Sequence, residues 1–229
     1  MKTIWFIVNP ISGTHDKSFI VSQIPKYFPE DRFAVEILYT SYSGHAAEIA
    51  KKAVAAGVDI VVAVGGDGTV NETARALVHS DVALGIVPSG SGNGLARHLF
   101  LPMNAEGALQ VISECNIHTL DYGLINDIPF FCTAGVGFDA FLSDKFNKSG
   151  KRGLLSYIEN ALREGVSYQP ETYELEILGE ESDIRTYRAF LITCANASQY
   201  GNDFYIAPHA SMSDGLLDVT IMEPFSVFE

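Results

Sequence analysis

The sequence is poor in several features that would assign it to a class directly. It has only 3 cysteines in 229 residues, Cys115, Cys132 and Cys194, an odd count with no C-x-x-C spacing. That excludes a disulfide framework and a cysteine-built zinc site, and it reads as reduced thiols in a cytoplasmic protein. Basic residues are scarce as well: 15 Lys and Arg stand against 28 Asp and Glu, a formal charge of −13. A nucleic-acid footprint is excluded on that balance, and bulk attraction to an anionic membrane is absent. No apolar run approaches the roughly 18 residues of a membrane span. The opening "MKTIWFIVNP" is too short in its apolar stretch for a signal peptide and no small-residue cleavage site follows, so membrane contact is expected to be peripheral. Internal repeats and low-complexity linkers are missing too.

What is present is core-forming material, 47% hydrophobic residues, in two different patterns. "TIWFIVN", "FAVEILYT", "VDIVVAV" and "VALGIVP" are apolar segments rich in Val and Ile, each ending at a turn signal. Between them, Ala46, Ile49, Ala50, Ala53 and Val54 recur at helical spacing, as do Val70, Thr73, Ala74, Leu77 and Val78. Strands alternating with helices predict βαβ units, a Rossmann-like parallel sheet covered on both faces. Further on, "GKRGLLSYIENALREGV" predicts a helix with Leu154, Leu155, Ile158, Ala161 and Leu162 on one face. "TYELEIL" and "LLDVTIM" then alternate with period two, which predicts antiparallel strands wet on one side. The expected architecture is α/β: a parallel-sheet domain over 1–127, then a β-rich domain over 128–229 that forms an incomplete antiparallel β-sandwich. The boundary falls at "LINDIPFF", read as a hairpin turn.

Ligands of open parallel sheets bind beyond the carboxyl ends of the strands. "NPISG", "TSYSGH", "GGDGT" and "PSGSGN" follow the four front strands in that order. Bare glycine amides beside a helix N-terminus cradle anions, phosphate above all. Neither G-x-x-x-x-G-K-[ST] nor a G-x-G-x-x-G opening the first helix is present, which excludes a P-loop NTPase and a dinucleotide Rossmann fingerprint. Asp67 in "GGDGT" is a carboxylate where an anion would sit. Such an acid serves through a bridging Mg²⁺ or by taking a proton, or else it merely caps a turn. Thr69 and Glu72 also satisfy a capping-box spacing, which would by itself account for both.

"GGDGT" with "NETA" behind it, "PSGSGN" in the next loop and "NPISG" in the first resemble the diacylglycerol kinase catalytic-domain family, which includes bacterial lipid kinases, sphingosine kinases and ceramide kinase. Further matches are T-x-x-x-x-H-A at Thr40, His45 and Ala46, "LDYG" at Asp121, "AGVGFDA" at Asp139 and "SMSDGLLDV" from Ser211 to Val219. The resemblance runs in order over almost the whole chain. It implies an ATP- and Mg²⁺-dependent lipid kinase that phosphorylates a primary hydroxyl of a diacylglycerol-like or sphingoid lipid, in a cleft between an α/β domain and a β-sandwich. Carried over residue by residue, Asn9, Ser12, Gly13, Thr40, Gly66, Gly68, Thr69, Glu72, Ser91, Gly92 and Asn93 would bind ATP. Asp67 would stand at the transfer site, assisting Mg²⁺ or accepting the hydroxyl proton. Asp121 would join the Mg²⁺ network, and Asp139 would face the lipid headgroup. Asp214, with carbonyls of Ser211 and Leu216, would hold a second, structural metal. Asp121 and Asp214 could equally be turn acids and Asn93 a helix cap.

Lys17, Lys148, Lys151 and Arg152 are candidates for basic help, against the alternative of solvated surface charges. Phe130, Phe131, Phe138 and Phe141 could line a slot for lipid tails or belong to the core. Gly94 stands where many bacterial members carry Asp. The resemblance also implies several dozen further residues after "EPFSVFE", so the chain reads as C-terminally truncated, with an open sheet edge able to pair with another copy. The partner expected is a lipid at a membrane surface, with no nucleic acid. Two other functions remain: a small-molecule kinase of the NAD kinase type, and a non-catalytic nucleotide-binding remnant.

Overall fold

The computed structural model describes residues 1–13, 17–149, 168–179 and 183–225. Its first half is built as β1 (Lys2–Val8), α1 (Lys17–Tyr27), β2 (Phe33–Tyr39), α2 (His45–Ala55), β3 (Ile60–Gly65), α3 (Asp67–Leu77), β4 (Ala83–Pro88), α4 (Gly94–His98) and α5 (Ala105–Ser113). The four strands form one parallel sheet in the order β2-β1-β3-β4. Alternation decides which face each side chain covers. Ile4, Phe6 and Val8, with Ile60, Val62 and Val64, pack against Ile20 and Ile24 of α1 and Leu109 of α5. Ile7 and Val61 point the other way, onto Ala46, Ile49, Ala50 and Ala53 of α2 and Leu77 of α3. Both faces are covered, which is why the strands read as unbroken apolar runs. The helical stripe expected on each of α2 and α3 is the buried one.

The strand pairing changes after residue 122. β5 (Gly123–Ile125) and β6 (Ile128–Phe130) form a hairpin. Its two turn residues, Asn126 and Asp127, both have positive φ, 47° and 62°, as the favoured two-residue turn requires. β7 (Thr133–Gly137) leads into α6 (Phe138–Ser149). β8 (Glu171–Ile177) pairs with β9 (Asp183–Ala189), and β10 (Leu191–Ala195) lies between β7 and β13 (Asp218–Met222). β11 (Gln199–Gly201) and β12 (Phe204–Tyr205) form a short ribbon. All of these pairings are antiparallel, as the period-two patterning predicts. The helix expected over residues 150–166 lies outside the described residues, as do Lys151 and Arg152 and the side chain of Lys148.

The side of β13 that alternation makes apolar is not dry: Leu217 and Val219 are 42% and 50% exposed, and Val136, across β10 on β7, is 43% exposed. The four phenylalanines do not form one slot. Phe130 is buried at the end of β6, Phe131 packs toward α4, and Phe138 and Phe141 pack together against Tyr168, with Phe190 on Phe138. All three cysteines are free thiols. No helix among the described residues is long and apolar enough to cross a membrane.

Candidate active site

The parallel sheet brings the four strand-end loops to one edge, where they are tied to each other by hydrogen bonds between elements. Asn9, just past β1, donates from Nδ2 to Thr69 Oγ1 at 3.0 Å, and its own Oδ1 accepts from the Ile11 amide. Ser12 closes the same loop by donating from Oγ to the Asn9 carbonyl. Gly13 follows at φ 59°, so close to the β4 loop that a Cβ would collide with the Ser89 carbonyl oxygen. Lys17 is buried rather than solvated: its Nζ donates to the Ser12 carbonyl at 2.7 Å and to the Ser89 hydroxyl. It clamps the first loop to the fourth from within. Thr40, at the end of β2, is buried and its amide bonds the Val8 carbonyl.

Glu72 accepts the Gly44 amide at 2.9 Å on Oε1, which holds the loop before α2 against α3. The capping-box alternative for Thr69 and Glu72 is therefore overturned. The cap residue of α3 is Gly66, so Thr69 lies inside the first turn, with its hydroxyl engaged by Asn9. A glycine cap brings no side chain to the end of α3, which leaves its first-turn amides to whatever the loops enclose. An ideal Cβ on Gly68 would meet nothing within 4 Å. By contrast Gly66 and Gly90 touch: a Cβ on Gly90 would stand 2.5 Å from the Gly66 Cα. Bare main chain is required at that crossing for the third and fourth loops to meet.

Asp67 bridges the same two loops. Its Oδ2 accepts the Asn93 amide at 2.8 Å and its Oδ1 the Gly94 amide at 2.7 Å. One carboxylate thus opens α3 and caps α4. Asn93 is the cap residue of α4, in the left-handed region at φ 54°, but its side chain does not cap. It closes the loop instead, with Oδ1 on the Gly90 amide and Nδ2 on the Gly90 carbonyl, both at 2.9 Å. Gly92 lies against Asp67, and Ser91 is exposed at the loop's tip. Asp67 itself is exposed on its outer side. Cys132 lies behind it, and burial, with the Asp67 charge added, pushes that thiol up to about 12; it is a packing residue, not a nucleophile.

The remaining sequence-derived residues gather elsewhere. Asp121 reaches the loop before β13, accepting the Gly215 amide on Oδ2 at 2.8 Å. Asp214 in that loop accepts the Leu216 amide, and Ser211 accepts the Ser213 amide. Asp121 and Asp214, assigned to two different metal sites by resemblance, are thus linked through one loop. Asp139 lies at the start of α6, bonded to Thr193 and Tyr200. An apolar cavity of about 600 Å³ flanks β4 and ends at Asp121 and Tyr122; it is not lined by the residues of the glycine loops named above.

The two halves meet through the fourth loop. Asn93 bridges to Gly201 of β11, and His98 Nδ1 accepts the Ser198 amide at 3.1 Å. Asn196 donates from Nδ2 to the carbonyls of Asp121 and Phe131. Sequence reasoning passed over Ser89, although it lies in "PSGSGN", and it passed over His98, Thr193, Asn196, Ser198 and Tyr200, which sit in no recognisable pattern; each acquires its partner across the chain.

Among the described residues no three His, Cys, Asp or Glu side chains converge as a ready metal cage. The open first turn of α3 and the exposed carboxylate beside it fit a phosphate chain with its magnesium, since Mg²⁺ is held by one or two carboxylates together with phosphates and water.

Residues 3–125 match the diacylglycerol kinase catalytic domain, and residues 132–229 match the YegS C-terminal NAD kinase beta sandwich-like domain. The diacylglycerol kinase of Mycobacterium tuberculosis H37Rv is 34% identical over 178 residues, covering 75% of this chain and 57% of that protein. The diacylglycerol kinase of Bacillus subtilis is 28% identical over 236 residues, covering 100% of this chain and 76% of its own length. A crystal structure of a diacylglycerol kinase from Bacillus anthracis str. Sterne superposes with a TM-score of 0.75 over 97% of this chain and 76% of that one, at 23% identity, a likeness of fold. The chain spans little more than half the length of the mycobacterial protein. With its first half matched along nearly its full extent, the chain belongs to the diacylglycerol kinase catalytic-domain family.

Proposed function

We propose that the chain is an ATP-dependent lipid kinase that phosphorylates the primary hydroxyl of a diacylglycerol-like or sphingoid lipid. The observation that carries this reading is the cross-tied edge of the front sheet: an uncapped helix start beside one exposed, immobilised carboxylate. Residues 1–127 act as the nucleotide half and 128–229 as the lipid half. Bound ATP with Mg²⁺ would supply the phosphoryl group and offset the charge that develops on its oxygens. The amides of α3 and the residues of the four loops orient a phosphate chain, which is most of what phosphoryl transfer asks of a protein. Asp67, held by two amides, takes the acceptor's proton or anchors the magnesium. The Asp214 side chain with the carbonyls of Ser211 and Leu216 would hold a second, structural metal, and Asp121, which accepts the Gly215 amide of that loop, would join the Mg²⁺ network. Acceptor lipids reach the cleft by peripheral contact with a membrane surface.

Incubating the chain with labelled ATP and a total lipid extract, then resolving products by mass, tests the proposal. A labelled phospholipid is the expected product. Label appearing only on soluble acceptors such as NAD would favour the NAD kinase-like alternative, for which the sandwich-like match of residues 132–229 is the supporting observation. ATP binding with no transfer to any acceptor would favour a non-catalytic remnant.

A further inference from the structure

Behind the fourth loop lies a cluster of oxygens that phosphate binding does not use. Asp139 Oδ1 accepts the Ala140 amide at 2.7 Å, and its Oδ2 accepts both the Thr193 hydroxyl and the Tyr200 hydroxyl, each at 3.0 Å. The two hydroxyls are themselves 2.9 Å apart. Thr193 is fully buried, whereas Asp139 and Tyr200 are half-buried and reach the surface. The chain makes room for this contact deliberately at Gly135, where a Cβ would stand 2.9 Å from Asp139 Oδ2 and 3.0 Å from Thr193 Oγ1. Three donors thus hold one carboxylate in a single orientation. A carboxylate only accepts hydrogen bonds, so the ligand group it suits is a donor, and it repels a phosphate.

Tyr200 also belongs to the contact between the halves. It sits in β11, whose Gly201 bridges Asn93, and its carbonyl oxygen would lie 2.9 Å from a Cβ on Gly94. Gly94 and Asn93 supply the two amides that Asp67 holds. Tyr200 therefore presses its main chain on the loop bound to Asp67 and places its hydroxyl on Asp139. We infer that Tyr200 is a positioning residue. With Thr193 it fixes Asp139 as the receptor for a hydroxyl of the acceptor lipid, and through β11 it keeps that receptor in register with Asp67. This rests on the lipid-kinase reading.

Tyr200→Phe removes only the hydroxyl and keeps the ring, which stacks on Phe204 with centroids 6.0 Å apart. With labelled ATP and a short-chain diacylglycerol in detergent micelles, the variant should lose roughly tenfold in kcat/KM for the lipid, the scale of one charge-assisted hydrogen bond. The KM for ATP and the melting temperature should stay near wild type. Thr193→Val, nearly isosteric, should reproduce the same lipid-selective loss. In a double-mutant cycle, Tyr200→Phe added to Asp139→Asn should cost nothing more, because Tyr200 acts through Asp139. Additive losses, equal losses toward ATP and lipid, or wild-type kinetics in Tyr200→Phe would each overturn the inference. A wild-type chain that phosphorylates no lipid removes the function and this inference with it. An active wild type with an indifferent Tyr200→Phe removes the inference alone.

Discussion

Asp67 has both carboxylate oxygens on main-chain amides of the neighbouring loop, so its geometry and its chemistry can be separated by substitution. Asp67→Asn keeps one acceptor but turns an NH₂ group toward a backbone N–H. Lipid phosphorylation should fall by about 10²-fold or more, the scale of a lost acid–base group, while thermal melting shows a folded protein. Retained transfer with a lowered melting temperature would leave Asp67 as a cap only. Lys17 allows a cleaner test of stability. Replacing it by Met leaves the Ser12 carbonyl and the Ser89 hydroxyl without that donor, at a cost of about 1–3 kcal/mol for buried polar groups left unmatched. Denaturant unfolding reads that loss directly. A spacing rule cannot find such a lysine, because its burial is created by loops that meet only in the folded chain.

Two elements depend on close approach. α4 begins in the loop that crosses Gly66, and a methyl group on Gly90 would stand 2.5 Å from the Gly66 Cα. Gly90→Ala should therefore push the third and fourth loops apart, weakening nucleotide binding in calorimetry more than it lowers the melting temperature. At the other end of α4, His98 Nδ1 accepts the Ser198 amide, and burial lowers the imidazole's pKa from its usual 6.5. The sign follows from proton counts. Between the lowered folded value and 6.5 the unfolded chain binds the extra proton, so protonation favours unfolding. The contribution is present in full above pH 6.5 and declines as pH falls through the folded value. Denaturant midpoints should drop between pH 7.5 and pH 5.5, and His98→Leu should flatten that slope. The helical stripes of α2 and α3 were legible in the sequence, since periodicity reports burial. The start of α3 was not: its capping-box signature was genuine as a pattern and irrelevant as a contact, because Thr69 was already committed to Asn9.

Across the whole molecule, a charge of −13 is combined with exposed apolar residues on the β7–β10–β13 sheet, Val136 and Val219 among them. On the proposed lipid-kinase reading, that apolar surface would draw the chain to a bilayer while its charge would oppose an anionic one. Sedimentation with neutral phosphatidylcholine vesicles should exceed that with phosphatidylserine-rich vesicles at low salt, and the gap should close as salt screens the charge. Val219→Glu should weaken binding to both. Preference for the anionic vesicles would mean that a local basic patch, not this face, makes the contact.

Sequence alone determined the parallel-to-antiparallel change, the hairpin at Asn126 and Asp127, and the gathering of four glycine-bearing loops at one sheet edge. Those features follow from local periodicity, turn chemistry and the topology of βαβ units, all written within short stretches of chain. Tertiary structure alone decided the partners. Glu72 went to Gly44, Asp67 to Asn93 and Gly94, Asp121 to Gly215, and Tyr200 to Asp139. A hydrogen bond between residues 26 or more positions apart depends on how layers stack and loops close, and no local pattern carries that information.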